Sequence, residues 1–116
     1  MKLYGIPNCN TVKKAREWLA TNAIEFTFHD FKKDGLDATT INEWLQQQPW
    51  EKLVNRAGMT WRGLNEETKA SIIDNASATQ LMLEKSSVIK RPILSRDGKI
   101  LSLGFDEVTY TRLFKS

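Results

Sequence analysis

The sequence predicts an α/β fold, and three observations carry that prediction. A strand, an amphipathic helix and a second strand follow one another near the N-terminus. The last third holds two short strands separated by Asp97–Gly98, then a final helix. The stretch between them shows helical periodicity and no convincing strand. Two strands joined through a helix are expected to lie parallel, and two joined by a tight turn antiparallel, so the sheet should be a mixed one of four strands.

The first strand is read from Leu3, Tyr4 and Ile6, with Gly5 and Pro7 punctuating its end. From Val12 onward the period changes: Val12, Ala15, Trp18 and Leu19 share a helical face, while Lys13, Lys14, Arg16 and Glu17 lie elsewhere. Asn22 is the expected stop. Ile24 to Phe31 alternates as a second strand, with His29 near its end, and 32–35 (KKDG) is a turn. His29 is expected to be a structural strand residue, because nothing near it in sequence would orient it as a base.

In the middle, Asp37 precedes a helix whose face is Ile41, Trp44 and Leu45, ended by Pro49. A short helical turn follows at Trp50, Leu53 and Val54, then a loop, 55–64 (NRAGMTWRGL), that contains Trp61. Trp44 is expected in the core, and Trp61 with its loop setting is the better candidate for a ligand surface. Asn65 followed by Glu66 and Glu67 marks a helix start, with Ala70, Ile72 and Ile73 as its apolar face. Ser77 or Thr79 opens another helix through Leu81, Met82 and Leu83. Val88 to Leu94 and the stretch after Asp97–Gly98 supply the last two strands. Gly104 ends the second of them, Asp106 caps the last helix, and Val108, Leu113 and Phe114 line it.

The chain's 116 residues suit one domain able to bury a core without a covalent staple. Its 41% hydrophobic and 27% charged residues are those of an ordinary globule. One cysteine rules out an internal disulfide and, with one histidine, leaves little for a metal site. The opening residues lack a long apolar core and no stretch approaches spanning length, so a cytoplasmic protein with no membrane role is expected. A net charge of +3 is too slight to argue for direct nucleic-acid binding, although it suits an anionic substrate.

Cys9 sits at the hinge between the first strand and the first helix. Unpaired backbone N–H groups and the helix dipole favour negative charge there, and the thiolate is the nucleophilic form of cysteine. A lone cysteine is often an inert core residue. This one, however, has Pro7, Asn8 and Asn10 as neighbours rather than an apolar run, and Lys13 can add positive charge to the same end.

A βαβ unit followed by ββα, with cysteine opening the first helix, is the layout of a thioredoxin-like domain. Its core is expected over 1–35 and 86–116, with a helical insertion over 36–85. In such a sheet the loop before the third strand faces the start of the first helix, which would bring Arg91 and Pro92 to Cys9. Pro92 is a candidate for either a cis or a trans peptide bond.

Several motifs in one order strengthen this layout: 4–15 (YGIPNCNTVKKA), 29–36 (HDFKKDGL), 53–64 (LVNRAGMTWRGL) and 89–94 (IKRPIL). Across nearly its whole length the chain resembles the arsenate reductase/Spx family, in particular its small bacterial YffB-type, arsenate-reductase-like branch. The resemblance implies a nucleophilic Cys9 with Arg56 and Arg91 as the arginines that hold an anion or lower the thiol's pKa. Asn8, Asn10, Thr11, Lys13 and Pro92 are the candidate substrate-binding residues around it. Arsenate reductases of this type use a further arginine after the hairpin, yet no arginine occurs here between Lys99 and Arg112, which argues against arsenate itself.

Val12 occupies the place of the resolving cysteine of Spx regulators, so a Cys-x-x-Cys switch is ruled out. A single thiolate needs an outside thiol to turn over. The expectation is therefore a glutathione-dependent thiol reductase with no bound cofactor, acting as a monomer on a disulfide or small anionic substrate. The alternative is a non-catalytic, Spx-like protein that binds the RNA polymerase alpha subunit.

Overall fold

The computed structural model describes residues 1–115, and its elements follow the predicted order. Strand β1 (Lys2–Gly5) leads into helix α1 (Asn10–Thr21) and strand β2 (Thr27–Asp30). The helices α2 (Ala38–Leu45), α3 (Trp50–Leu53), α4 (Met59–Arg62), α5 (Glu66–Ser71) and α6 (Asn75–Glu84) come next. After a 3₁₀ turn at Ser86–Val88 the chain closes with β3 (Ile93–Arg96), β4 (Lys99–Leu103) and α7 (Glu107–Lys115).

The sheet has the order β2-β1-β3-β4. Strand β1 runs parallel to β2, with Gly5 opposite Asp30, and antiparallel to β3, with Leu3 opposite Leu94. Strands β3 and β4 form the expected hairpin, turned by Asp97 (φ 52°) and Gly98 (φ 80°). Positive φ at both central residues suits the right-handed twist of the flanking strands, which is why this dipeptide is such a strong hairpin signal. This is the mixed, thioredoxin-like sheet that the order of elements implied.

The backbone divides into two compact units, one of residues 1–35 together with the chain from Arg91 onward, the other Leu36–Lys90. In the first, Leu3, Ala15, Leu19, Leu94 and Tyr110 form a buried cluster. Trp18, Phe28, Phe105 and Phe114 pack against it. Tyr110 meets Phe105 and Trp18 edge-on, with ring centroids 4.7 and 5.5 Å apart. Each large side chain so buried contributes about 1.5–3 kcal/mol by leaving water.

The second unit buries Ile41, Trp44, Leu53, Val54, Leu81, Met82, Val88 and Ile89. Residues 86–90, expected with the sheet core, lie in this unit because the backbone ties them there. Asn55 N–H donates to Val88 O at 2.8 Å, Lys90 N–H donates to Leu53 O at 2.7 Å, and Val54 bridges Ile89.

Several local expectations change. The third strand begins at Ile93 rather than Val88, since Val88 ends the 3₁₀ turn and Ile89 and Lys90 pair with Val54 and Leu53 instead of with the sheet. Trp61 lies in α4, not in a loop. Helix α6 starts before Ser77: Asp74 accepts from Ser77 N–H while Ser77 Oγ answers the Asp74 N–H, a reciprocal cap. Helix α5 buries nothing, and Ile73, beyond its end, is 74% exposed. On α7 the buried residue is Tyr110, whereas Val108 faces solvent.

Candidate active site at the start of the first helix

Strand β1 ends at Gly5, and the chain turns through Pro7 and Asn8 to reach Cys9, the N-cap of α1. Cys9 is partly buried and its backbone is extended (φ −99°, ψ 125°), as an N-cap requires. Its carbonyl accepts the first helical hydrogen bond, from Lys13 N–H at 2.9 Å. Helix α1 has no acid in its first turn, and no side-chain hydrogen bond closes its N-cap. The Val12 and Thr11 N–H groups of this open turn act on the Cys9 sulfur and favour its anion. Orphan donors at a helix start thus meet the one group whose anion they can stabilise.

Arg91 completes the set. Its side chain hydrogen-bonds the sulfur and its charge acts on it, so the loop before β3 does reach Cys9. The Arg91–Pro92 peptide is cis. Pro92 is buried, and its carbonyl accepts from Gly104 N–H at 2.8 Å. Gly104 itself takes φ 81°, where other residues are strained.

The electrostatic balance favours the anion. Partial burial pushes the Cys9 thiol up, but the Val12 N–H, the Arg91 hydrogen bond and charge, and the Thr11 N–H together outweigh it and leave the thiol below its ordinary value.

Among the remaining candidate residues, Asn8, Asn10, Thr11 and Lys13 are exposed around the cysteine turn. The Lys13 backbone N–H donates to the Cys9 carbonyl, whereas the Thr11 backbone N–H acts on the Cys9 sulfur. Arg56 belongs to the second unit. It is exposed in the turn closed by Gly58 N–H to Asn55 O (3.1 Å), with its guanidinium 5.5 Å from the centroid of the Trp50 ring. His29 has the structural role expected of it, donating Nε2–H to Gly35 O at 2.6 Å beside the Tyr4 ring. A groove of about 550 Å³ along α1, lined by Trp18, Phe105 and residues of both charges, contains none of the candidate residues.

Sequence reasoning missed the part played by Val12, whose N–H faces the sulfur while its side chain is fully buried. The available signal was position: three residues after an N-cap is where a capping group finds its donor. Among the described residues no helix is long and apolar enough to cross a membrane.

Comparison with known proteins agrees with this architecture. A solved structure described as a YFFB protein superposes with a TM-score of 0.88 at 40% identity, covering 96% of both chains. The solution structure of an arsenate reductase (ArsC) related protein from Brucella melitensis gives a TM-score of 0.79 at 50% identity, over 99% of this chain and 94% of that one. The global transcriptional regulator Spx of Lactiplantibacillus plantarum is 28% identical, over 90% of this chain and 79% of its own. Residues 4–113 match the ArsC family, and with the cysteine-led α/β fold described above, the chain belongs to that family.

Proposed function

We propose that the protein is a thiol reductase that works through one cysteine and uses glutathione to complete its cycle. The observation supporting this reading is Cys9 standing at the N-cap of α1 while the Arg91 side chain hydrogen-bonds its sulfur. In the first step the Cys9 thiolate attacks a disulfide sulfur. The Cys9 S–S bond forms, the substrate S–S bond breaks, and one substrate thiolate leaves. In the second step a glutathione thiolate attacks the substrate-derived sulfur, so that glutathione takes over the disulfide and Cys9 departs as thiolate. Arg91 holds both the attacking and the departing anion. Arg91, Arg56 and Lys13 are the cations proposed to pair with glutathione's carboxylates.

A disulfide is favoured over arsenate because no arginine lies between Lys99 and Arg112 to complete an oxyanion clamp. Mass spectrometry after treatment with glutathione disulfide tests the reading. A mixed disulfide at Cys9, formed with a pH midpoint below the ~8.5 of free cysteine, is expected. A midpoint at that value, together with undiminished glutathione-linked reduction in Cys9→Ser, overturns it.

A second reading rests on the similarity to Spx. On that reading the protein binds the RNA polymerase alpha subunit without using the thiol. Retention of a complex by Cys9→Ser in a pull-down with purified alpha subunit, with no thiol turnover by the wild type, would favour it.

A further inference from the structure

We propose that Gly5 is a positioning residue for Cys9: its missing side chain is the space that lets Val12 pack where its backbone N–H meets the sulfur. The inference rests on the reading of Cys9 as the nucleophile.

Gly5 is buried at the end of β1, and its φ is not positive, so backbone freedom does not explain a glycine here. Space does. A methyl group at this position would stand 2.8 Å from Val12 Cγ2 and 3.3 Å from Cγ1. The first distance is far inside carbon–carbon contact, where the optimum is about 3.5–4.0 Å. Neither partner has an easy retreat. The Gly5 carbonyl accepts Phe31 N–H at 2.9 Å, and Gly5 lies in register with Asp30. Val12 is fully buried, and a β-branched side chain in a helix has essentially one χ1 well.

The part that can give is the first turn of α1, which begins at Asn10, only two residues before Val12. Moving that turn moves the Val12 N–H, and the Thr11 N–H with it, relative to Cys9. Hydrogen bonds weaken steeply as their alignment is lost. The wedge therefore acts on the thiolate without touching it: β1 sets Gly5, Gly5 admits Val12, and Val12 aims the donor. The contact suggests its own remedy. With the two Val12 methyls gone, the added methyl would meet the Cβ of residue 12 at an ordinary 3.6 Å.

The test is the pH–rate profile of Cys9 alkylation by iodoacetamide, a neutral reagent that no arginine needs to bind. Wild type, Gly5→Ala, Val12→Ala and the double variant are compared, with folding followed by circular dichroism. With Val12 in place, Gly5→Ala is expected to raise the midpoint by about half to one pH unit and slow alkylation at pH 7 about three- to tenfold. Added to Val12→Ala, the same change is expected to leave the midpoint where Val12→Ala alone puts it. If Gly5→Ala does not fold, the proposal still requires the double variant to fold and to match Val12→Ala. A lowered wild-type midpoint that Gly5→Ala leaves in place, or an equal shift in both backgrounds, overturns this inference alone. A wild-type midpoint at the value of free cysteine overturns the reading of Cys9 instead, whatever the order of the variants.

Discussion

The two units of the chain hold their polar candidates in different ways. In the sheet-bearing unit, Cys9 and Arg91 lie near opposite ends of the sequence and meet because β1 pairs with β3, which brings the loops at their ends together. In the helical unit, Arg56 finds Trp50 within the same short stretch of chain and stacks on it, a contact that the local turn alone can make. The cores differ to match. One is a sheet covered by interlocking aromatic rings around Tyr110; the other is mainly aliphatic around Trp44. Long-range pairing builds a site whose parts depend on the whole fold, whereas local pairing builds one that survives small displacements.

The largest effect that follows is on stability. Tyr110→Ala removes a fully buried ring that touches Trp18, Phe105 and Phe114, and is expected to cost about 3–5 kcal/mol. Ile73→Ser in the helical unit, at a residue 74% exposed, should stay within about 0.5 kcal/mol. Chemical denaturation of both variants checks the pair. A loss at Ile73 comparable to that at Tyr110 would show that this side chain is covered in solution.

Next in size is the contrast between the two arginines. Arg91→Ala takes away a hydrogen bond and a charge that lower the Cys9 thiol. The alkylation midpoint should therefore rise, and the rate at pH 7 should fall about tenfold for each pH unit the midpoint moves. Arg56→Ala removes a cation from above the Trp50 ring and should leave the midpoint in place while raising the KM for a glutathione-bearing disulfide. Equal midpoint shifts in the two variants would assign both guanidinium groups to the sulfur.

Much of this was legible in the chain itself. The change of period between β1 and α1, the Asp97–Gly98 turn, and Asn65 and Asp106 as caps are local signals with local causes, and each caps or turns as expected; Asp37, read only as preceding α2, caps it as well. Asp74 gives a weaker signal because its partner at the third helical position is Ser77 rather than the acid or amide of the usual box. The meeting of Arg91 with Cys9 required a sheet order as well as residues, and only the layout as a whole supplied it. The Gly5–Val12 wedge was not legible at all: an apolar residue on a helical face does not announce what lies 2.8 Å from its methyl group.

The smallest effect is one of pH, and it too separates the units. Carboxylates that cap helices occur in both: Asp74 and Asp106 are each held below the usual carboxylate range, first by a backbone N–H and then by a hydroxyl. Their contribution is present above the unfolded carboxylate pKa and lost as pH falls through the folded value, so acid should weaken both units alike. The thiol of Cys9, also depressed, has the same sign at a higher pH: its contribution is lost as pH falls from the unfolded thiol value through the folded one. Tyr110 has the opposite sign. Burial pushes its phenol up to about 12, while Ser102 Oγ nearby opposes this only weakly and without a hydrogen bond of good geometry. Its contribution is therefore complete below the unfolded value of about 10 and is lost as pH rises toward 12. Tyr110→Phe keeps the ring and removes the titrating group, so stability between pH 10 and 12 should fall less steeply than in wild type while the acid arm is unchanged. Urea midpoints measured across that range decide it: parallel alkaline slopes in the two proteins would mean that the phenol reaches water, and that the aromatic core of the sheet unit is looser than its packing indicates.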